Sequence, residues 1–208
     1  MMMAEATNHY FKHLGVSDGL SQVCIPSIYQ DELGAVWLGT TEGLNRYNGK
    51  DVRVFQPSES NHGLTNNEIN ELCGDKNGRM YIRSGNDLIK LDIYTEQFTC
   101  LRQKGVYGLF CKKDTLWVSC ADGIYYYTGQ GTELTFFARV QKGFVGRALY
   151  VDKETVWVVT RKYLVAISRE DPLRQEILLT LDKGNCILGD SSGNIWVGAW
   201  NGLYRVSP

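Results

Sequence analysis

The hydrophobic pattern of this chain repeats at a nearly constant interval. An aromatic anchor recurs at Trp37, Tyr81, Trp117, Trp157 and Trp196, at spacings of 44, 36, 40 and 39 residues. Each anchor lies in a nearly continuous apolar run, such as VWLGT or LWVSC, and an aliphatic residue follows seven positions later. A strand with one solvated face would alternate apolar and polar residues, so these strands are expected to be covered on both faces. The pattern predicts a repeat architecture built from β-sheets.

Turn signals on both sides of each anchor divide the repeat into strands. An Asp-x-x-Gly turn precedes three anchors, at 31–34, 75–78 and 190–193, and the turn is one residue shorter before Trp117 and Trp157. The aspartate can accept backbone N–H bonds, and the glycine can take the left-handed conformation that returns the chain. A second hairpin turn follows the anchor strand at Glu42-Gly43, Asp122-Gly123 and Asn201-Gly202. Each repeat therefore predicts four strands, A to D, with the anchor in strand B; examples are strand A at Ile69–Gly74 and strand D at Val52–Phe55.

The predicted fold is all-β: a β-propeller of five four-stranded blades over residues 9–208. The alternative, a β-sandwich, does not explain the regular period. The last repeat ends after its strand C, and segment 9–14 (HYFKHL) has the character of a strand. We expect this segment to supply the missing outer strand of the last blade and to close the ring. Residues 1–8 are expected to be a disordered leader, either the remnant of an export signal or a start-codon artefact.

Composition and charge argue against several classes of function. The formal net charge is −1 and the basic residues are scattered, which disfavours partners held by electrostatics, such as nucleic acid or a membrane surface. No apolar run approaches the roughly 18 residues that span a bilayer. The six cysteines show no C-x-x-C spacing, so we expect buried thiols rather than a metal site or a disulfide framework, with one stray disulfide left open. No cofactor is expected.

The first third of the chain resembles a known repeat family. The run IYQDELGAVWLGTTEGLNRYNGKDVRVF (28–55), with DGLSQ before it and GLTNNEI after it, looks like the two-component regulator propeller repeats. The resemblance is strong over 10–92 and 184–206. It is weaker in the middle repeats, where the Asp-x-x-Gly turn is lost and Tyr163 stands where glycine is usual.

The resemblance implies a role in signalling. Such repeats form the periplasmic sensor regions of hybrid two-component systems in Bacteroidetes-type bacteria, where two seven-bladed propellers precede a β-sandwich, a membrane helix and a histidine kinase. It implies a periplasmic module whose ligands are breakdown products of polysaccharides. This chain has five repeats, and none of its three histidines lies in a helical phospho-acceptor context. We therefore expect a piece of such a sensor, or a five-bladed relative, without catalytic output of its own.

A ligand site is expected on the propeller face that carries the D-to-A and B-to-C loops, since variable loops carry function. A sugar-binding surface needs exposed aromatic faces with amide and guanidinium donors beside them. The candidate ligand-binding residues are Asn66, Asn67, Tyr107, Phe144, Arg147, Arg161, Tyr163, Asn185 and Trp200. Structural alternatives stay open: Trp200 could cover a neighbouring loop, Arg147 could form a salt bridge, and Tyr107 and Phe144 could plug the channel mouth.

Three functions compete at this stage. The first is a ligand-sensing module that binds an oligosaccharide. The second is a structural or interaction propeller, whose partner is a second copy of the chain or the remaining sensor domains. The third is an enzyme, which is disfavoured because the carboxylates fall mostly in turns and no histidine cluster or metal-ligand spacing is present.

Overall fold

The computed structural model of the protein describes residues 11–57 and 63–207, which form nineteen strands and two short 3-10 turns. The strands group into five antiparallel sheets, each consisting of strands consecutive in the chain. Blade 1 contains β1 (Ser27–Gln30), β2 (Val36–Thr40), β3 (Gly43–Tyr47) and β4 (Val52–Phe55). Blade 2 contains β5 (Ile69–Gly74), β6 (Arg79–Ser84), β7 (Asp87–Asp92) and β8 (Gln97–Arg102).

Blade 3 contains β9 (Val106–Lys112), β10 (Thr115–Cys120), β11 (Gly123–Tyr127) and β12 (Thr135–Ala138). Blade 4 contains β13 (Gly146–Val151), β14 (Thr155–Thr160), β15 (Tyr163–Ser168) and β16 (Gln175–Thr180). Blade 5 contains β17 (Gly184–Gly189), β18 (Ile195–Ala199) and β19 (Gly202–Val206). The 3-10 turns are Val16–Asp18 and Gln141–Gly143. The all-β propeller with five blades is confirmed.

The apolar core lies between the blades. Four hydrophobic clusters join blade 1 to 2, 2 to 3, 3 to 4 and 4 to 5, and the first strand of each blade contacts the first strand of the next. The anchors Trp37, Tyr81 and Trp117 are buried, whereas Trp157 and Trp196 are only partly buried. Burial of both faces explains why strand B of the inner blades reads as a continuous apolar run.

The ring is not closed within the described residues. Residues 11–14 form no strand, and the last sheet has three strands, so the predicted fourth strand from segment 9–14 is wrong for residues 11–14, while His9 and Tyr10 lie outside the described residues. The segment is held on blade 1 instead. Lys12 Nζ donates to the Tyr47 hydroxyl at 3.0 Å, and the Ser21 N–H donates to Asn45 Oδ1 at 2.9 Å.

The terminal blades keep exposed apolar residues on their outer faces. Tyr29 packs toward blade 2, so its strand neighbour Ile28 points away from the arc, where it is 63% exposed. The outer face of blade 1 is nevertheless covered in part, because Leu38, the partner of Ile28 on that face, is buried. On the far face of blade 5, Leu188 is 65% and Leu203 is 69% exposed. The five blades therefore form an arc with an apolar face at the blade 5 end and a partly covered face at the blade 1 end.

The expectation for the cysteines is met only in part. All six thiols are free, and Cys120 is buried. Cys24 and Cys186 are exposed, which contradicts the prediction for these two, because Cys24 lies ahead of β1 and Cys186 lies on the uncovered face of blade 5. The predicted leader, residues 1–8, lies outside the described residues.

Candidate functional site

One register position of the repeat lines the channel at the centre of the arc. It lies ten or eleven residues before each anchor, at Pro26, Asn70, Tyr107, Arg147 and Asn185. All five residues border a cavity of about 1010 Å³, whose walls are the first strands of the five blades. The position therefore offers one side chain per blade to a ligand in the channel. The type of this side chain differs between blades and is apolar, amide, aromatic or cationic.

A partly buried carboxyl joins two blades in the channel wall. Glu71 Oε2 accepts hydrogen bonds from Arg83 Nε at 3.3 Å and from the N–H of Leu109 at 3.1 Å. Burial raises the pKa of Glu71 to about 7, although the Arg83 guanidinium and the Leu109 N–H lower it. Arg83 is thereby committed to a structural ion pair and is not free for a ligand.

Two further cavities, here called the mouth cavities, border the channel at blades 4 and 5. The larger, of about 520 Å³, contains Trp200, Lys183 and Asn185, and the smaller, of about 400 Å³, contains Tyr107 and Phe144. Arg147 and Arg161 line both. The mouth cavities are therefore adjoining parts of one surface.

Trp200 and Arg161 occupy equivalent places in neighbouring blades. Each stands four residues after its anchor, in the turn between strands B and C. The Trp200 side chain is 79% exposed, while its backbone N–H is fixed by the carbonyl of Asp182 at 2.9 Å. Lys183 Nζ lies 4.9 Å from the centre of the indole, within the range of a cation–π contact. The turn thus holds a large aromatic face in solvent between cationic groups.

The structure places six of the nine candidates at the mouth cavities, namely Trp200, Arg147, Tyr107, Phe144, Arg161 and Asn185. Asn66, named with Asn67 in the sequence, also borders the channel. Tyr163 contacts Phe144 in a tilted arrangement with ring centres 4.9 Å apart, and both rings pack against the core between blades 3 and 4. That packing favours a structural role for these two rings. A ligand role for the remaining residues stays a prediction.

Asn67 lies outside the cavities. Its carbonyl accepts the N–H of Gly43 at 2.8 Å, so its backbone ties blade 2 to the turn of blade 1, and its side chain is exposed. Sequence reasoning missed Lys183, Asn70, Glu71 and Arg83. Asn70 could have been identified from the register position that lines the channel, whereas Lys183 lies in a loop that has no repeat signal.

The opposite face of the arc carries the structural turns, as predicted. Asp31 Oδ2 accepts the indole N–H of Trp37 at 2.7 Å, and Asp190 Oδ2 accepts that of Trp196 at 2.9 Å. In blade 4 Asp152 does the same for Trp157 at 2.6 Å, even though the turn is shorter. These bonds, with those from Asn194, lower the pKa of Asp190 to about 2. The aspartates hold the anchors and are not available for chemistry.

The comparisons with known proteins agree with this architecture. Residues 19–42, which cover the entry to blade 1 and its first two strands, match the family model described as two component regulator propeller. The chain carries a two-component regulator propeller repeat. A curated relative, histidine kinase P4 of Formosa agariphila, is 36% identical over 55 residues, which are 26% of this chain and 4% of that protein.

Solved structures show the same propeller fold. An extracellular domain assigned to a hybrid two component system of B. thetaiotaomicron superposes on 94% of this chain with a TM-score of 0.82 and 23% identity. One assigned to a one component system of the same organism gives 0.77, with 20% identity and again 94% of the chain. This chain spans 30% and 31% of the two structures. The match to a regulatory propeller repeat supports the expectation that this chain is not an enzyme.

The described residues contain neither a membrane-spanning helix nor a cluster of metal ligands. No helix among them is long and apolar enough to cross a membrane. Within the same residues, no group of three or more His, Cys, Asp or Glu side chains is placed to hold a metal ion.

Proposed function

We propose that this propeller is the ligand-sensing part of a two-component signalling protein, that it works in the periplasm, and that it binds an oligosaccharide at the mouth cavities. The observation that carries the proposal is the exposed indole of Trp200, which borders a cavity of about 520 Å³ together with Asn185, Arg147 and Arg161. A sugar ring presents C–H groups to an aromatic face and hydroxyls to amide and guanidinium donors. The repeat family supports the signalling half of the proposal.

Oligosaccharide binding tests the proposal directly. A glycan array followed by calorimetry should find an oligosaccharide whose binding shifts the indole fluorescence, because Trp200 is far more exposed than the buried Trp37 and Trp117. Trp200→Ala should weaken binding about tenfold or more, since an aromatic stacking contact is worth on the order of 1–3 kcal/mol. Phe136→Ala, which removes a half-exposed ring from the outer strand β12, is the matched control and should leave the affinity unchanged.

The proposal fails if no oligosaccharide binds, or if Trp200→Ala and Phe136→Ala have the same effect on every ligand found. Thermal unfolding of both variants should stay close to that of the parent chain, because neither side chain lies in the apolar clusters between the blades.

A second function is favoured by the exposed apolar residues at the two ends of the arc. We propose that the face of blade 1 around Ile28 packs on the face of blade 5 around Leu188 and Leu203 in a second copy of the chain. Such a contact repeats the sheet-on-sheet packing found between neighbouring blades, and exposed apolar faces of this kind mark interaction sites. Light scattering over a range of concentrations should show dimers or larger assemblies. A strict monomer at every concentration would refute this function.

A further inference from the structure

The mouth cavities have an uneven distribution of charge. Four basic residues line them, namely Arg147, Arg161, Lys162 and Lys183. No aspartate or glutamate is among the described residues that line either cavity. The whole chain has a formal net charge of −1, so the excess of positive charge is local to this surface. The fold brings together cations from three separate segments of the sequence.

These four cations also lack partners of opposite charge. The ion pairs of the described residues engage Arg46, Arg53, Arg79, Arg83 and Arg102, all of which lie elsewhere. Each of the four is exposed. A basic side chain that serves stability commonly has an acidic neighbour, as Arg83 has Glu71, and here the fold supplies none. The positive charge at the mouth cavities is therefore available to an anionic group from outside the chain.

The position of Trp200 indicates how a bound sugar would lie relative to these cations. Its exposed indole lies beside Lys183 and borders the same cavity as the guanidinium groups of Arg147 and Arg161. A guanidinium presents two parallel N–H groups that match the two oxygens of a carboxylate or of a sulfate ester. A sugar ring stacked on the indole would carry its substituents toward these donors.

We infer that the ligand of the mouth cavities is an acidic oligosaccharide, whose carboxylate or sulfate groups are bound by Arg147, Arg161 and Lys183 while a ring stacks on Trp200. This inference rests on the proposed function and adds the charge of the ligand. Neutral oligosaccharides of the same length offer the four cations only hydroxyl acceptors and no anionic group, and bind more weakly.

Three probes of equal length test the inference. They are trigalacturonate, its fully methyl-esterified form, and a trisaccharide that carries sulfate esters but no carboxylate. Titration calorimetry at about 0.15 M salt limits the contribution of long-range attraction. The inference expects trigalacturonate or the sulfated trisaccharide to bind about tenfold or more tightly than the ester, because hydrogen bonds to charged groups are worth on the order of 1.5–3 kcal/mol. Which of the two binds identifies carboxylate or sulfate as the group recognised.

Variants locate the binding on this surface. Arg161→Gln should weaken binding of the acidic probe about tenfold or more, and Arg161→Lys should recover only part of it, since lysine keeps the charge but loses the paired donors. Arg139→Gln is the matched control: Arg139 is also exposed, it lies outside the mouth cavities, and the variant changes the net charge equally. It should leave the affinity unchanged.

The outcomes separate the inference from the proposed function. Equal binding of trigalacturonate and its ester, lost in Trp200→Ala, overturns the acidic ligand and leaves the oligosaccharide site standing. Absence of binding by any saccharide overturns both. Binding of polyglutamate as tight as that of the acidic saccharides, equally weakened by Arg161→Gln and Arg139→Gln, overturns the inference in favour of unspecific attraction of anions.

Discussion

The turn aspartate of blade 1 is the most informative place to perturb the fold. Asp31 is 4% exposed, and its carboxylate accepts the N–H of Leu33 at 3.0 Å, the N–H of Ala35 at 2.8 Å and the indole N–H of Trp37 at 2.7 Å. Asp31→Ala removes the acceptor from all three donors. Leu33 is exposed, so its N–H regains a hydrogen bond to water, but Ala35 and Trp37 are buried.

The magnitude follows from the two donors that stay buried. A buried donor left without a partner costs about 1–3 kcal/mol, so Asp31→Ala should lower the free energy of unfolding by about 4 kcal/mol. Asp190→Ala in blade 5 is the matched control. It removes the same type of bond to Trp196, but that anchor and Asn194, which takes the place of Ala35, are only partly buried, so water replaces more of what is lost. The loss should be clearly smaller in blade 5.

Urea unfolding followed by circular dichroism measures both variants, and a double-mutant cycle of Asp31→Ala with Trp37→Phe isolates the indole bond. A coupling of about 1.5–3 kcal/mol is expected for a hydrogen bond to a charged acceptor. If Asp31→Ala costs about 0.5 kcal/mol, as a surface substitution does, or no more than Asp190→Ala, the carboxylate does not hold the anchor and the reasoning is refuted.

Two further predictions concern the channel wall and the end of the arc. The pKa of Glu71 rises from 4.5 to about 7 on folding, so the contribution of this carboxyl to stability is greatest below pH 4.5 and is lost as pH rises to 7. The shift corresponds to about 3 kcal/mol at most, and since the side chain is 29% exposed we expect about 1–2 kcal/mol. Glu71→Gln should flatten the stability profile between those pH values, measured by thermal unfolding, whereas exposed Glu68→Gln should not; a profile unchanged by Glu71→Gln contradicts this. Leu203→Glu should weaken any self-association seen by light scattering about tenfold or more, because burying an unpaired charge is costly. Leu173→Glu, at a side chain 92% exposed in the turn before β16, should not; equal effects would exclude the face of blade 5 as the contact.

The strands could be predicted from the sequence because their determinants are local. The prediction for strand A of blade 2, Ile69–Gly74, and for strand D of blade 1, Val52–Phe55, agrees with the structure to the residue. The role of the turn aspartates was predicted only in part. Their backbone bonds follow from the turn type, but the bond to the indole depends on where the anchor side chain lies after the hairpin has formed. Hence Asp152, in a turn of different length, was not recognised as the equivalent of Asp31 and Asp190.

Closure of the ring could not be predicted because it depends on contacts between distant segments. The strand-like sequence of segment 9–14 indicates a backbone conformation, but it does not indicate the sheet edge with which the segment would pair. Bonds from Lys12 to Tyr47 and from Ser21 to Asn45 keep the described part of this region on blade 1. The same limit applies to the site: Trp200 and Arg161 share a position in the repeat, but Lys183 joins them only through the packing of blade 5 on blade 4.

The contrast between the two faces of the arc explains why the ligand site is expected at blades 4 and 5. On the turn face, aspartate accepts the indole N–H of the tryptophan anchor in blades 1, 4 and 5. On the channel face, four of the five residues at the register position are exposed, so packing places less demand on the residue type there. Blade 2 contributes the Glu71 carboxyl, which is paired with Arg83, whereas blade 4 contributes Arg147 and Arg161, which form no ion pair with another described residue. The proposed recognition of an anionic ligand accounts for this asymmetry, since no ion pair among the described residues does.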